Sequence, residues 1–134
     1  METTEMLEKD RLLILAVLDV YCKAFAEADA DTLRALLCLD DKRFTAVEDH
    51  IPMPFGRDAQ LDILDRIRTT AAPGGHMAFT ATQFFSLGPT AAYGVAVQKV
   101  TSAAGSGTSR VTLIFVKEDG IWKILHGHFS AMPT

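Results

Sequence analysis

From Leu12 to Phe25 apolar residues recur at three- and four-residue steps, as Ile14, Val17, Leu18, Tyr21 and Phe25. That period places them on one face of a long amphipathic first helix. Glu27 to Asp31 then supplies acidic and small residues suited to a helix break and a new N-cap. Leu33, Leu36 and Leu37 form the apolar stripe of a short second helix. Phe44 to Val47 reads as a short strand. The two prolines of "HIPMPFG" forbid helix and favour an extended, irregular connection. A third helix begins at Arg57, with Asp58 well placed against its N-terminal dipole and Leu61, Leu64 and Ile67 turned inward; "APGG" ends it.

Beyond His76 the rhythm changes. Met77 to Leu87, Ala91 to Thr101, Arg110 to Lys117 and Ile121 to Ser130 are β-rich runs, separated by turn signals at Gly88-Pro89, "GSG" from Gly105 and Asp119-Gly120. The pattern predicts an antiparallel meander of four strands behind helices gathered at the front. That is an α+β domain whose curved sheet wraps the helical face, a single domain over residues 1–134.

The last hairpin can be read residue by residue. If Asp119-Gly120 is a two-residue turn, Glu118 pairs with Ile121, Leu113 faces His126 and Val111 faces His128. One face then holds Val111, Leu113, Phe115, Trp122, Ile124, His126 and His128, bulky and apolar enough to lie under the helices. The other holds Arg110, Thr112, Ile114, Val116, Lys123, Leu125, Gly127 and Phe129. Its aliphatic character predicts a homodimer through the sheet face, most economically with a two-fold copy.

Composition narrows the function classes. The chain has 134 residues, 49% hydrophobic and 22% charged, enough for one real core. A net charge of -4 without long charge runs gives no footprint for nucleic acid or anionic lipid. The longest apolar stretch, Leu12 to Leu18, is too short to span a bilayer, and "METTEMLEKD" lacks a secretory signal's basic end, so a cytoplasmic protein without membrane contact is expected. Cys22 and Cys38 have neither the number nor the spacing of a disulfide framework and are expected to be reduced and packed. GxGxxG, GxSxG, Walker and HExxH motifs are absent from the sequence, so no cofactor is called for.

The corner "AEADADTLRALL", the strand ending in "VED", "PFGRDAQLDIL" and the closing "RVTLIFVKEDGIWKILHGHFS" together resemble the nuclear transport factor 2-like superfamily, within it the SnoaL-like branch. The most telling pieces are Gly56-Arg57-Asp58 opening the third helix and Trp122-Lys123-Ile124 before His126-x-His128. The resemblance implies a cone formed by a strongly curved antiparallel sheet and capped by three N-terminal helices, with an apolar pocket inside and usually a dimer. That fold serves isomerases, cyclases, dehydratases, transport adaptors and a kinase association domain, so the function must be argued from the site.

Around Tyr21 and "VED" the chain is similar to the ketosteroid isomerase branch. That likeness implies Asp49 as a general base and Tyr21 as the donor to a developing enolate oxygen. The branch's second donor, a protonated acid, would fall near Thr112, and no Asp or Glu occurs from Arg110 to Val116. Bland readings stand beside these: a solvated acidic turn for Glu48-Asp49-His50, and a core tyrosine for Tyr21. His126 and His128 project to one side of a strand, a spacing open to metal ligation only if a third ligand converges, so no metal is expected. His126 is read instead as the polar group deep in the cone, partnering Asp49 or a ligand oxygen. Phe55, Phe79, Leu113, Trp122 and His128 complete the expected ligand-binding set. The function expected is binding of a small apolar or aromatic carbonyl compound, with cofactor-independent isomerisation, cyclisation or dehydration by acid/base catalysis. The alternative is a non-catalytic ligand-binding or association domain.

Overall fold

Helix α1 (Glu8–Ala26) turns Ile14 and Leu18 out of solvent, with Val17, Tyr21 and Phe25 half-buried along the same stripe, in a computed structural model that describes residues 6–133. A tight corner through Ala28, whose φ is +54°, leads to α2 (Ala30–Ala35). Asp29 caps α2: its carboxylate accepts from the Thr32 amide at 3.1 Å and the Thr32 hydroxyl at 2.6 Å. After strand β1 (Thr45–Glu48), Gly56 precedes α3 (Arg57–Thr70), which buries Leu64 with Leu61 and Ile67 half-buried beside it.

Strands β2 (His76–Ser86), β3 (Ala91–Ser102), β4 (Gly105–Glu118) and β5 (Ile121–Ala131) form the expected antiparallel meander, and the sheet is curved and unclosed. It has a fifth member. The order is β1-β5-β4-β3-β2, and β1 runs parallel to β5, pairing Thr45 with His126 and Glu48 with Phe129. The direction of β1 is set upstream. The Cys38 amide donates to the Ile124 carbonyl, and the Ile124 amide to the Leu36 carbonyl, so the chain leaving α2 already runs alongside β5.

Two turn expectations fare differently. Asp119 and Gly120 take positive φ of 50° and 79° and form the two-residue turn, with Glu118 opposite Ile121. "GSG" is not a loop: the turn lies at Ala103 and Ala104, and Gly105, at φ +123°, opens β4.

Two apolar clusters hold the layers. Ile14 and Leu18 press on Ala92, Val111, Leu113, Phe115, Trp122 and Ile124 of the inner sheet face, while Ala24, Ala30, Leu33, Leu39, Phe44 and Leu64 join the helices to one another. Each large side chain so buried contributes about 1.5–3 kcal/mol. At the start of α1, the Asp10 carboxylate accepts from Trp122 Nε1 at 3.2 Å and from Lys117 Nζ at 3.3 Å, which anchors the helix across the last hairpin. Cys22 and Cys38 are free thiols, and burial pushes the Cys38 thiol up to about 11. Among the described residues no helix is long and apolar enough to cross a membrane.

Candidate functional site

The two clusters leave a cavity of about 330 Å³ between the helices and the inner sheet face. Its wall is mostly apolar, with Phe25 from α1, Leu37 after α2, Ile63 and Ile67 from α3, and Phe79 and Phe129 from the sheet. Polar groups are few and spaced: Tyr21, the run Glu48-Asp49-His50, Gln60, Gln98 and Ser109. A concave apolar chamber with a few placed polar groups is the usual form of a small-molecule site.

Tyr21 sits on the buried stripe of α1, yet its side chain is only half-buried because it borders the cavity. No described protein group hydrogen-bonds its hydroxyl, and no fully buried side-chain polar atom of the described residues lacks a partner. The hydroxyl therefore reaches the cavity. Burial pushes the phenol far above its ordinary range, and the nearby Glu48 charge pushes it further. It stays a neutral donor at any physiological pH.

Glu48 ends β1 directly beside Phe129 of β5. Burial raises its carboxyl above the ordinary value, an effect opposed by His50, whose Nε2 lies 3.4 Å from the carboxylate. His50 itself is largely in solvent, so the pair sits where the cavity meets water. Asp49, the expected base, borders the cavity but is exposed, and its carboxylate already accepts from the Ala131 backbone amide. Strand alternation explains the contrast: one position decides which carboxylate looks inward.

The two strand histidines face away from the cavity, contrary to expectation. A β-bulge in β5 follows Ile124: Phe115 pairs with Ile124, but Ile114 pairs with His126. The extra residue puts Leu125 and His126 against Ile114 on the outer face. Leu125 packs there with Cys38 and Val116. Beyond the bulge the alternation is reversed from the expected register, so Gly127 and Phe129 turn inward while His126 and His128 turn out. His126 Nδ1 lies 2.8 Å from the Thr45 hydroxyl, and His128 Nε2 lies 3.1 Å from the Ser130 hydroxyl. Burial, then His128, lowers the His126 pKa below its ordinary value.

Of the expected residues, the cavity brings together Tyr21, Asp49, Phe79 and Leu113. It excludes His126, His128, Phe55 and Trp122. Phe55 is buried beside β1, exchanging backbone hydrogen bonds with Ala46, and Trp122 lies under the start of α1 with its indole N–H on Asp10. Sequence reasoning passed over Gln98, the one buried polar residue among those described, at 7% exposure. Its signal was there: a carboxamide two residues beyond Ala96 on the small, inward side of "AAYGVAVQKV". Among the described residues no cluster of three His, Cys, Asp or Glu side chains could hold a metal.

Residues 14–134 match the SnoaL-like domain. The chain belongs to this family. It is thereby a member of the nuclear transport factor 2-like superfamily, as its α+β cone indicates. No curated protein matches this SnoaL-like chain significantly. Solved structures share its fold at low identity. An NTF2-like protein of unknown function from Pseudomonas putida KT2440 is 16% identical with a TM-score of 0.79, over 97% of this chain and 92% of that one. The association domain of C. elegans CaMKII is 17% identical with a TM-score of 0.74, over 92% and 96%. A cystatin-like protein from Caulobacter vibrioides, uncharacterised, is 18% identical with a TM-score of 0.73, over 93% and 91%.

Proposed function

We propose that this SnoaL-like protein is a cytoplasmic, cofactor-independent binder of a small apolar or aromatic carbonyl compound, and that it moves a proton on the carbon beside that carbonyl. The observation that carries the reading is the pairing, within one largely apolar cavity, of a phenol that no described residue hydrogen-bonds with a partly buried carboxylate of raised pKa. Glu48 takes the role that sequence reasoning gave to Asp49: its carboxylate accepts the α-proton as the C–H bond breaks. The Tyr21 hydroxyl donates to the enolate oxygen as charge develops there. The same carboxylic acid then returns a proton to carbon, giving an isomerised or exchanged product. Asp49, tied to Ala131, holds the end of β1 against β5 so that Glu48 faces inward.

Deuterium exchange tests this directly. β-Tetralone, an aromatic ketone with acidic α-hydrogens and a volume well inside the cavity, is incubated with protein in deuterated buffer and followed by proton NMR. Exchange above the buffer rate is expected, falling by roughly 10²–10⁴-fold in Glu48→Gln and less in Tyr21→Phe. Exchange equal in wild type and Glu48→Gln would remove the proposed base.

Self-association is a second reading with its own support. The outer sheet face presents Phe85 stacked on Tyr93 at 5.1 Å between centroids, with Val95 and Ile114 beside them, and association domains are among the proteins that share the fold. We infer that a second copy covers this face. Sedimentation should give a dimer, and Val95→Glu a monomer.

A further inference from the structure

The proposed proton-transfer site accounts for one polar end of the cavity and leaves another unused. Gln98 on β3 and Ser109 on β4 are directly opposed in the antiparallel ladder, and both face the cavity. Gln98 is 7% exposed, and its Nε2 donates to Met77 Sδ at 3.4 Å. A thioether sulfur is a weak acceptor, so this contact satisfies little of a carboxamide's capacity. No described residue donates to Gln98 Oε1, and no fully buried side-chain polar atom of the described residues lacks a partner, so Oε1 opens onto the cavity. Burying an amide without good partners costs free energy that an apolar side chain there would avoid.

Sheet register fixes where this pair lies relative to the reacting end. Glu48 pairs with Phe129, Phe129 with Val111 and Val111 with Ala96, so Glu48 and Ala96 mark one row across four strands. Gln98 and Ser109 lie two residues further along β3 and β4. With strands about 4.8 Å apart and about 3.3 Å per residue, the Glu48 backbone stands roughly 12–16 Å from those of Ser109 and Gln98. Phe129 and Ala131 of β5 line the space between.

We propose that Gln98 and Ser109 form a second hydrogen-bonding subsite, so that the ligand is an elongated apolar compound with an oxygen function at each end. One is the carbonyl held by Tyr21. The other is a hydroxyl or carbonyl that Gln98 meets as donor or acceptor and Ser109 meets with its hydroxyl. This inference rests on the proton-transfer reading for which end reacts, but the subsite is tested separately from it.

The test compares β-tetralone with its derivative bearing a phenolic hydroxyl on the far ring, by calorimetry on the intact protein and by the exchange assay. The hydroxylated ketone should bind roughly five- to ten-fold tighter than its parent. Gln98→Met should abolish that advantage while leaving the parent's affinity within about two-fold, as expected for a volume-conserving change that removes only the polar group. Ser109→Ala, a milder change, should reduce the advantage in the same direction. Equal affinity of the two ketones for wild-type protein, equal losses of both in Gln98→Met, or binding of neither overturns the subsite. Glu48-dependent exchange without a hydroxyl advantage would remove the subsite alone. A Gln98-dependent advantage without Glu48-dependent exchange would keep the subsite and remove the proton-transfer reading.

Discussion

Thr45 Oγ1 lies 2.8 Å from His126 Nδ1 across the β1–β5 pair, on the face of the sheet turned away from the cavity. That contact gives the imidazole a structural task. His126→Ala should lower stability by about 0.5–1.5 kcal/mol, the net worth of one hydrogen bond, and leave β-tetralone exchange unchanged. The pH sign also follows. Burial lowers the folded-state pKa of His126 below its ordinary 6.5, so its contribution is present above that value and lost as pH falls through the folded pKa. Denaturant melts of wild type and His126→Ala should therefore converge toward acid. Loss of exchange in His126→Ala would instead return the histidine to the cavity.

The helices, the meander and the Asp119-Gly120 turn were legible because each rests on local signals: a 3.6-residue stripe, a two-residue alternation and residues that accept positive φ. Tyr21, Phe79 and Leu113 were found because their inward positions follow from an unbroken period. The errors cluster where local pattern stops. The bulge after Ile124 leaves no distinctive residue behind, since the extra position is an ordinary Leu125 with a tertiary partner in Cys38. One undetected residue reversed the faces of His126, Gly127, His128 and Phe129 together. Glu48 and Asp49 differ by one position, and only the pairing of β1 with β5 decides which looks inward. That pairing joins segments about 80 positions apart in sequence, which no local period can report.

Asp10 should matter more than its place near the start of the chain suggests. It accepts from the Trp122 indole and from Lys117, whose ammonium also lies 5.7 Å from the centre of the Trp122 ring. Asp10→Ala leaves the indole N–H of a 4%-exposed tryptophan without its partner. A stability loss of about 1–3 kcal/mol is expected, with a change in Trp122 fluorescence in the folded state. A melt superimposable on wild type would mean that the N–H finds another acceptor.

Gly127 keeps the cavity open. A Cβ built there would stand 2.8 Å from the Phe129 ring and 3.3 Å from a Leu113 methyl. Phe129 is half-buried and borders the cavity, so its ring can yield in that direction. Gly127→Ala should therefore cost only about 1–2 kcal/mol of stability, while the displaced ring narrows the chamber. The expected signature is a greater proportional loss of β-tetralone affinity than of stability. Unchanged affinity would mean that the ligand does not reach Phe129.

Glu48 provides a test of burial that needs no ligand. Its folded-state carboxyl titrates above the ordinary 4.5 because burial disfavours the charge, with His50 opposing. In the interval above 4.5, the folded state holds a proton that the unfolded chain has released, so stability must fall as pH rises through it. Full stability from this group is present below the unfolded pKa and is lost once pH exceeds the folded one. Glu48→Gln carries no ionisable group, so its stability curve should lack this downward slope and rise relative to wild type toward neutral pH. His50→Ala should steepen the slope, since it removes the group that favours the charged carboxylate. Parallel pH–stability curves for wild type and Glu48→Gln would mean that Glu48 faces water, and the base would then have to be sought at Asp49.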